Sequence, residues 1–345
     1  MRIRVGRPFI QPALIGLAAV ITACLGLMTA EGAARIVAAR LSRNSYSTHR
    51  NPYGDRFWRP YTAPQPRNGE QLIIVITNSQ GYLQESDPAL GYPAQLEGLL
   101  NAQNPAHKSI VANWALPGAN AAEHIILAAR AADHRPDLVL IASFSNNFSE
   151  DQTTHPLSYA NNDVEQMAYL PQVRRRLSDG FLRRFRVHRP RAWLATYSAL
   201  MNFHESVTFW LRDDASREDR LLRRRRNRPP IASEPVAEDG MRMMHELRRV
   251  LQRGLPDTPV LIVNMPISRW KIHPETWRYT DDFFERSREI FRGRPKTRVL
   301  DARESVDPAL FYSATHMLPQ GHARFARWLF PHVAGFLKGR RTNAF

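Results

Sequence analysis

The chain has 345 residues, 43% apolar and 23% charged, with a net charge of +16. That length makes one large domain or two ordinary ones, and that balance excludes a disordered, collagen-like or many-helix membrane chain. A single cysteine, Cys24, excludes an internal disulfide and any metal centre built on several thiolates.

In chain order, the first feature is an uncharged stretch of 23 residues from Pro8 to Ala30, preceded by Arg2, Arg4 and Arg7. At ~1.5 Å per helical residue it reaches ~35 Å, enough to span a bilayer. It exceeds the apolar core of a cleaved signal peptide, so residues 1–30 read as a retained signal anchor. The alternative is a lipoprotein acylated at Cys24, because Ile21-Thr22-Ala23-Cys24 resembles a lipobox; against it, Leu25 to Met28 continue the apolar run. Residues 31–68 read as a linker, with Pro52, Pro60, Pro64 and Pro66 among aromatic residues.

From residue 69 to 345 the pattern is α/β. Apolar, β-branched runs at Gln71–Thr77, Ser109–Asn113, Asp137–Ala142, Pro259–Asn264 and Arg298–Leu300 predict five strands of a parallel sheet covered on both faces. Helical patterns at about Leu90–Asn101, Ala121–Ala132, Met241–Gln252, Asp281–Phe291 and His322–Leu337 alternate with them. This predicts a doubly wound, flavodoxin-like sheet whose sites lie beyond the carboxyl ends of the strands. The stretch from about 150 to 257 reads as an Arg-rich helical insertion. Between Pro171 and Arg228 it holds sixteen arginines against six acids. Arg174, Arg175, Arg183, Arg184 and the run from Arg223 to Arg226 are expected to face lipid headgroups, acidic glycan or an acidic partner. No nucleic-acid module accompanies them, so nucleic acid is not an expected partner.

The loops after the strands carry the chemistry. Asn78-Ser79-Gln80-Gly81 follows the first strand, Gly118 the second and Asn146-Asn147 the third, while His316 precedes the last helix. Serine, glycine, asparagine and histidine in this order resemble the SGNH hydrolase superfamily, the GDSL-type esterases. The resemblance spans about Gln71 to Asn147 and Pro259 to Leu337. It implies Ser79 as nucleophile and His316 as base. It implies an oxyanion hole from the Ser79 and Gly118 N–H groups and the Asn146 amide, with Asn147 as the fallback donor. A serine hydroxyl needs a base near neutrality to become a nucleophile, and imidazole can also return the proton to the leaving group.

The sequence departs from the family in three places. Thr77-Asn78-Ser79 stands for Gly-Asp-Ser, and Phe144-Ser145-Asn146-Asn147 for Gly-x-Asn-Asp. Ser313 occupies the position, three before the histidine, of the aspartate that orients the imidazole. The Ser313 hydroxyl or a main-chain carbonyl can serve instead, with Asp301, Glu304 and Asp307 as candidate substitutes. An anchor plus an insertion further resembles the membrane-tethered branch of the superfamily. That implies a single-pass bacterial inner-membrane protein with its domain in the periplasm, acting on an acylated carbohydrate or lipid beside a membrane-bound O-acyltransferase. The second reading is a weakened, SGNH-like scaffold subunit of an envelope polysaccharide complex. Trp114, Trp270 and Trp277 are candidates for stacking on sugar rings. Neither cofactor nor metal is expected.

Overall fold

The computed structural model describes residues 10–44, 63, 65–67, 69–81, 88–116, 119–148, 170–184 and 238–341. Helix α1 runs from Ile10 to Asn44. Within it, Ile15–Ala33 is long and apolar enough to cross a membrane, and none of that window is buried against the described protein. A signal sequence near an N-terminus has the same character.

Five strands, β1 (Gln71–Thr77), β2 (Ser109–Ala115), β3 (Leu138–Ser143), β4 (Val260–Asn264) and β5 (Thr297–Asp301), form one sheet in the order β2-β1-β3-β4-β5. Every pairing is parallel. The helices are α2 (Tyr92–Gln103), α3 (Ala121–Ala131), α4 (Pro171–Arg174), α5 (Asp179–Arg184), α6 (Glu238–Gly254), α7 (Pro274–Phe291) and α8 (Pro319–Arg341). Parallel strands need a crossover between them, and these helices supply it on both faces.

Alternation along β1 shows why its sequence is apolar throughout. Leu72, Ile74 and Ile76 pack with α3, α6 and α7 on one side, whereas Ile73 and Val75 pack with α2 and α8 on the other. Burying one such side chain contributes roughly 1.5–3 kcal/mol, so both faces must be covered for the strand to persist. The five expected strands and the five helices that alternate with them are found; most of the expected insertion, including the run from Arg223 to Arg226, lies outside the described residues. α7 starts at Pro274 rather than Asp281, because Pro is suited to a first helical turn and the His273 side chain caps the Glu275 N–H.

The two ends of the sheet differ in how they are closed. At the carboxyl end, Gly240 of α6 lies so close to the turn after β3 that a Cβ there would stand 2.1 Å from the Phe148 carbonyl oxygen. At the amino end, the guanidinium of the buried Arg294 donates to the Leu251 carbonyl in the last turn of α6 and to the Leu255 and Thr258 carbonyls just beyond it. A cation at a helix C-terminus offsets the partial negative charge of the unpaired carbonyls.

Candidate active site

Strand β1 ends at Thr77, and the chain turns at once into a single 3-10 turn, Ser79–Gly81. Two local bonds shape it. The Asn78 side-chain oxygen accepts from the Gln80 N–H at 3.0 Å, and the Gly81 N–H donates to the Asn78 carbonyl at 3.0 Å. Gly81 must lack a Cβ, which would stand 2.1 Å from Cγ2 of Thr77. Ser79 therefore projects, half-buried, from a turn held from both sides.

His316 comes from a tight loop before α8. Phe311 and Met317 pair in an antiparallel bridge, and the Tyr312 N–H donates to the His316 carbonyl at 3.1 Å. The Tyr312 ring lies against the imidazole, centroids 5.5 Å apart. Although 237 residues separate them, Ser79 Oγ and His316 Nε2 are 2.9 Å apart. The other ring nitrogen, Nδ1, lies 2.9 Å from Ser313 Oγ and 3.2 Å from Thr315 Oγ1. Ser313 Oγ also accepts from the His316 backbone N–H at 3.0 Å.

The acids considered as substitutes are engaged elsewhere. Asp301 binds Arg303 in a fork, Glu304 pairs with Arg269, and Asp307 caps the Ala309 N–H. Their strand-end positions place them near the loop, but Arg303, only 6% exposed, needs the carboxylates of Asp301 and Asp281 to be tolerated there.

Of the expected oxyanion donors, Gly118 lies outside the described residues. Asn146 is half-buried on the 3-10 turn Ser145–Phe148, directly after β3 and thus beside the Ser79 turn. The fallback donor, Asn147, has its side chain engaged within the framework. Its side-chain oxygen accepts from the Phe144 N–H at 3.1 Å and from the Asn78 amide at 3.4 Å, and its own amide donates to the Ala119 carbonyl at 2.5 Å.

Gln80 was not singled out by sequence reasoning. It is 1% exposed, and its amide donates to the Pro266 carbonyl at 3.3 Å and also to the Thr315 carbonyl. It thereby joins the serine turn to the end of β4 and to the histidine loop. No sequence pattern flags a glutamine beside a serine for this task. The tryptophans divide. Trp114 is a core residue, 2% exposed with its edge against His134, because it lies on the buried strand β2 and cannot stack on a ligand. Trp277 is covered by the guanidinium groups of Arg269 and Arg303. Trp270 is 70% exposed, on the turn after β4 whose Ser268 N–H donates to the Ala314 carbonyl of the histidine loop.

Among the described residues no cluster of side chains suits a metal ion. His322, the other histidine near the site, is part of the packing. Burial lowers its pKa to about 4, and its Nδ1 accepts from the Tyr92 N–H at 3.3 Å.

No protein-family model matches the chain, and no curated protein matches it in sequence. Solved structures are similar to it. A candidate GDSL-like lipase from Bacteroides ovatus ATCC 8483 shares 11% identity at a TM-score of 0.42, covering 78% of this chain and 54% of its own. A catalytic mutant of the acetylxylan esterase Axe2 from Geobacillus stearothermophilus shares 14% at 0.41, covering 75% and 92%. A carbohydrate esterase family 2 enzyme with a carbohydrate-binding domain, from Corynascus thermopiles (Myceliophthora fergusii), shares 12% at 0.42, covering 81% and 69%. The sheet order, the serine turn after β1 and the histidine loop before the last helix give this chain an SGNH hydrolase-like fold.

Proposed function

We propose that the protein is a membrane-anchored serine esterase or O-acyltransferase working through an acyl-Ser79 intermediate on an envelope carbohydrate or lipid ester. The observation that carries this is the 2.9 Å approach of Ser79 Oγ to His316 Nε2. Nε2 takes the hydroxyl proton as Oγ bonds to the ester carbonyl carbon. The tetrahedral oxyanion is met by the N–H groups of Ser79 and Gly118 and the amide of Asn146. Each such donor is worth roughly 2.7–4 kcal/mol in a comparable hydrolase. Collapse breaks the bond to the leaving alcohol, which receives the proton from Nε2. Water or an acceptor hydroxyl then repeats the sequence at the acyl carbon.

An extracytoplasmic carbohydrate is the substrate class best supported by the site's rim. The exposed Trp270 stands on a loop bonded to the histidine loop, where an indole face can stack on a sugar ring. The anchoring reading follows from the apolar length of α1; the periplasmic side and a membrane-bound O-acyltransferase partner follow from the resemblance. A second reading, a weakened scaffold subunit, draws on the hydroxyl of Ser313 where a carboxylate would orient His316.

The test is covalent labelling of the full chain by a fluorophosphonate probe. We expect stoichiometric adduct on Ser79, none in Ser79→Ala, and slow labelling in His316→Ala. An unlabelled, folded wild type would refute the esterase reading.

A further inference from the structure

Far from Ser79, α4, α5 and the second half of α6 enclose an open cleft of about 660 Å³. Four arginines line it: Arg174, Arg175, Arg249 and Arg253. Among the described residues only Arg249 of these four has an acid partner, Glu246, which also accepts from the Ser178 N–H at 2.8 Å and so fixes the start of α5. Arg174, Arg175 and Arg253 have no carboxylate within ion-pair reach among the described residues. Among the described lining residues Asp179 is the one acid. Two carboxylates against four guanidinium groups leave a local excess of positive charge in a concave site, which an anion would relieve.

The position of the cleft follows from the chain path. The last turns of α6 lead straight into the start of β4, and Arg176, between α4 and α5, donates to the Ala129 carbonyl and pairs with Asp133 after α3, just before β3 begins. The cleft therefore lies at the amino end of the sheet. Ser79 lies at the carboxyl end, roughly 20 Å away for strands of this length at ~3.3 Å per residue. The chain coming from α1 also enters the sheet at its amino end, at Gln71. Finally, the rim is partly apolar, with exposed Pro171 and half-buried Leu182 beside the guanidinium groups. An inorganic ion has no use for such a rim, but a lipid glycerol backbone does.

We infer that this cleft binds the phosphate of an anionic phospholipid headgroup, so that the domain rests on the bilayer by the amino end of its sheet and holds Ser79 on the far side. The inference rests on α1 as an anchor. It deepens the proposed function, since the substrate ester must then approach from beyond the membrane surface rather than from within it.

The experiment uses the full chain in neutral maltoside micelles, titrated with dioctanoyl phosphatidylglycerol and followed by native mass spectrometry. Arg174→Gln/Arg253→Gln should weaken binding at least tenfold. Arg278→Gln/Arg324→Gln, an equal charge loss on exposed residues in the first turns of α7 and α8 at the opposite, carboxyl end of the sheet, should change it less than twofold. Dioctanoyl phosphatidylcholine and inorganic phosphate should bind far more weakly to the wild type. Equal weakening by the two pairs, phosphate binding as tight as the lipid's, or no lipid binding by the wild type would each overturn the inference. Carbonate extraction of membranes reports on α1 and probe labelling reports on Ser79, so failure of either of those readings is measured separately.

Discussion

Replacing Ser313 by aspartate probes the weakest part of the proposed catalytic geometry. For Nε2 to accept the Ser79 proton, His316 must carry its own proton on Nδ1 and donate it to Ser313 Oγ, 2.9 Å away. A hydroxyl is ambivalent, because it can equally donate to Nδ1, leaving the proton on Nε2 and the serine without a base. The His316 backbone N–H already donates to the same oxygen at 3.0 Å, so the productive tautomer requires Oγ to accept two bonds. A carboxylate accepts only, and it gives the imidazolium formed during attack a counter-charge.

The size of the effect can be bracketed. A hydrogen bond to a charged group contributes ~1.5–3 kcal/mol and a neutral one ~0.5–1.5, a gain of about 1–1.5 kcal/mol. At 1.36 kcal/mol per decade this is about tenfold in kcat/KM. The loss of ~10⁴ on changing the corresponding aspartate to asparagine in a serine protease sets the upper end. Ser313→Asp should therefore raise turnover of p-nitrophenyl acetate about tenfold or more and move the acid limb of the profile to higher pH, since an opposite charge favours the imidazolium. Ser313→Ala should lower turnover. The reasoning is refuted if the alanine variant matches wild type, because Ser313 would then orient nothing.

Two further outcomes concern the framework. His322 is 2% exposed and its pKa is lowered to about 4 by burial, so the unfolded chain binds its proton first as pH falls. Stability should decline between pH 6.5 and 4 by about 3 kcal/mol from this group, and His322→Gln should flatten that slope in thermal unfolding followed by circular dichroism. Gly240→Ala should destabilise by about 3 kcal/mol in urea unfolding, at the upper end for overpacking, because the group it meets is the Phe148 carbonyl and not a movable side chain; a loss below 0.5 kcal/mol would mean that α6 shifts freely.

What the sequence made legible is what local chemistry determines. The run Gln71–Thr77 had to be buried on both faces, and its partners share that character, so the parallel sheet and its carboxyl-end loops followed. Ser79 and His316 could be named because their residue types and order carry the signal. Gln80 could not, since its task depends on the Pro266 and Thr315 carbonyls, 186 and 235 residues away. The sequence pattern starts α7 seven residues late because the residues its first turns bury most deeply, Thr276 and Thr280, are polar, so no apolar period marks them. Trp114 has the residue type of a ligand platform, but it stands within β2, where burial is the stronger constraint.

Asn78 and Asn147, which stand where the SGNH-type pattern carries aspartates, are linked to each other. The Asn78 amide donates to the Asn147 side-chain oxygen, and the Asn147 amide donates to the Ala119 carbonyl, so one chain of bonds runs from the serine turn through the β3 loop to the loop after β2. That chain needs a donor and an acceptor on each residue, which an amide has and an ionised carboxylate lacks. Two carboxylates at this 3.4 Å spacing, both buried, would repel and share a proton instead. Asn147 is held by this chain together with the Phe144 N–H, on the same turn as Asn146, the amide proposed for the oxyanion. The same bonds hold the loop after β2 at Ala119, next to Gly118 in sequence. The Asn120 side chain there accepts from the Glu123 N–H and the Glu123 carboxylate accepts from the Asn120 N–H, fixing the start of α3. With Gln80 tying the serine turn to the histidine loop, each loop bearing a proposed catalytic group is bonded to another, so the 2.9 Å separation of Ser79 and His316 belongs to a connected framework.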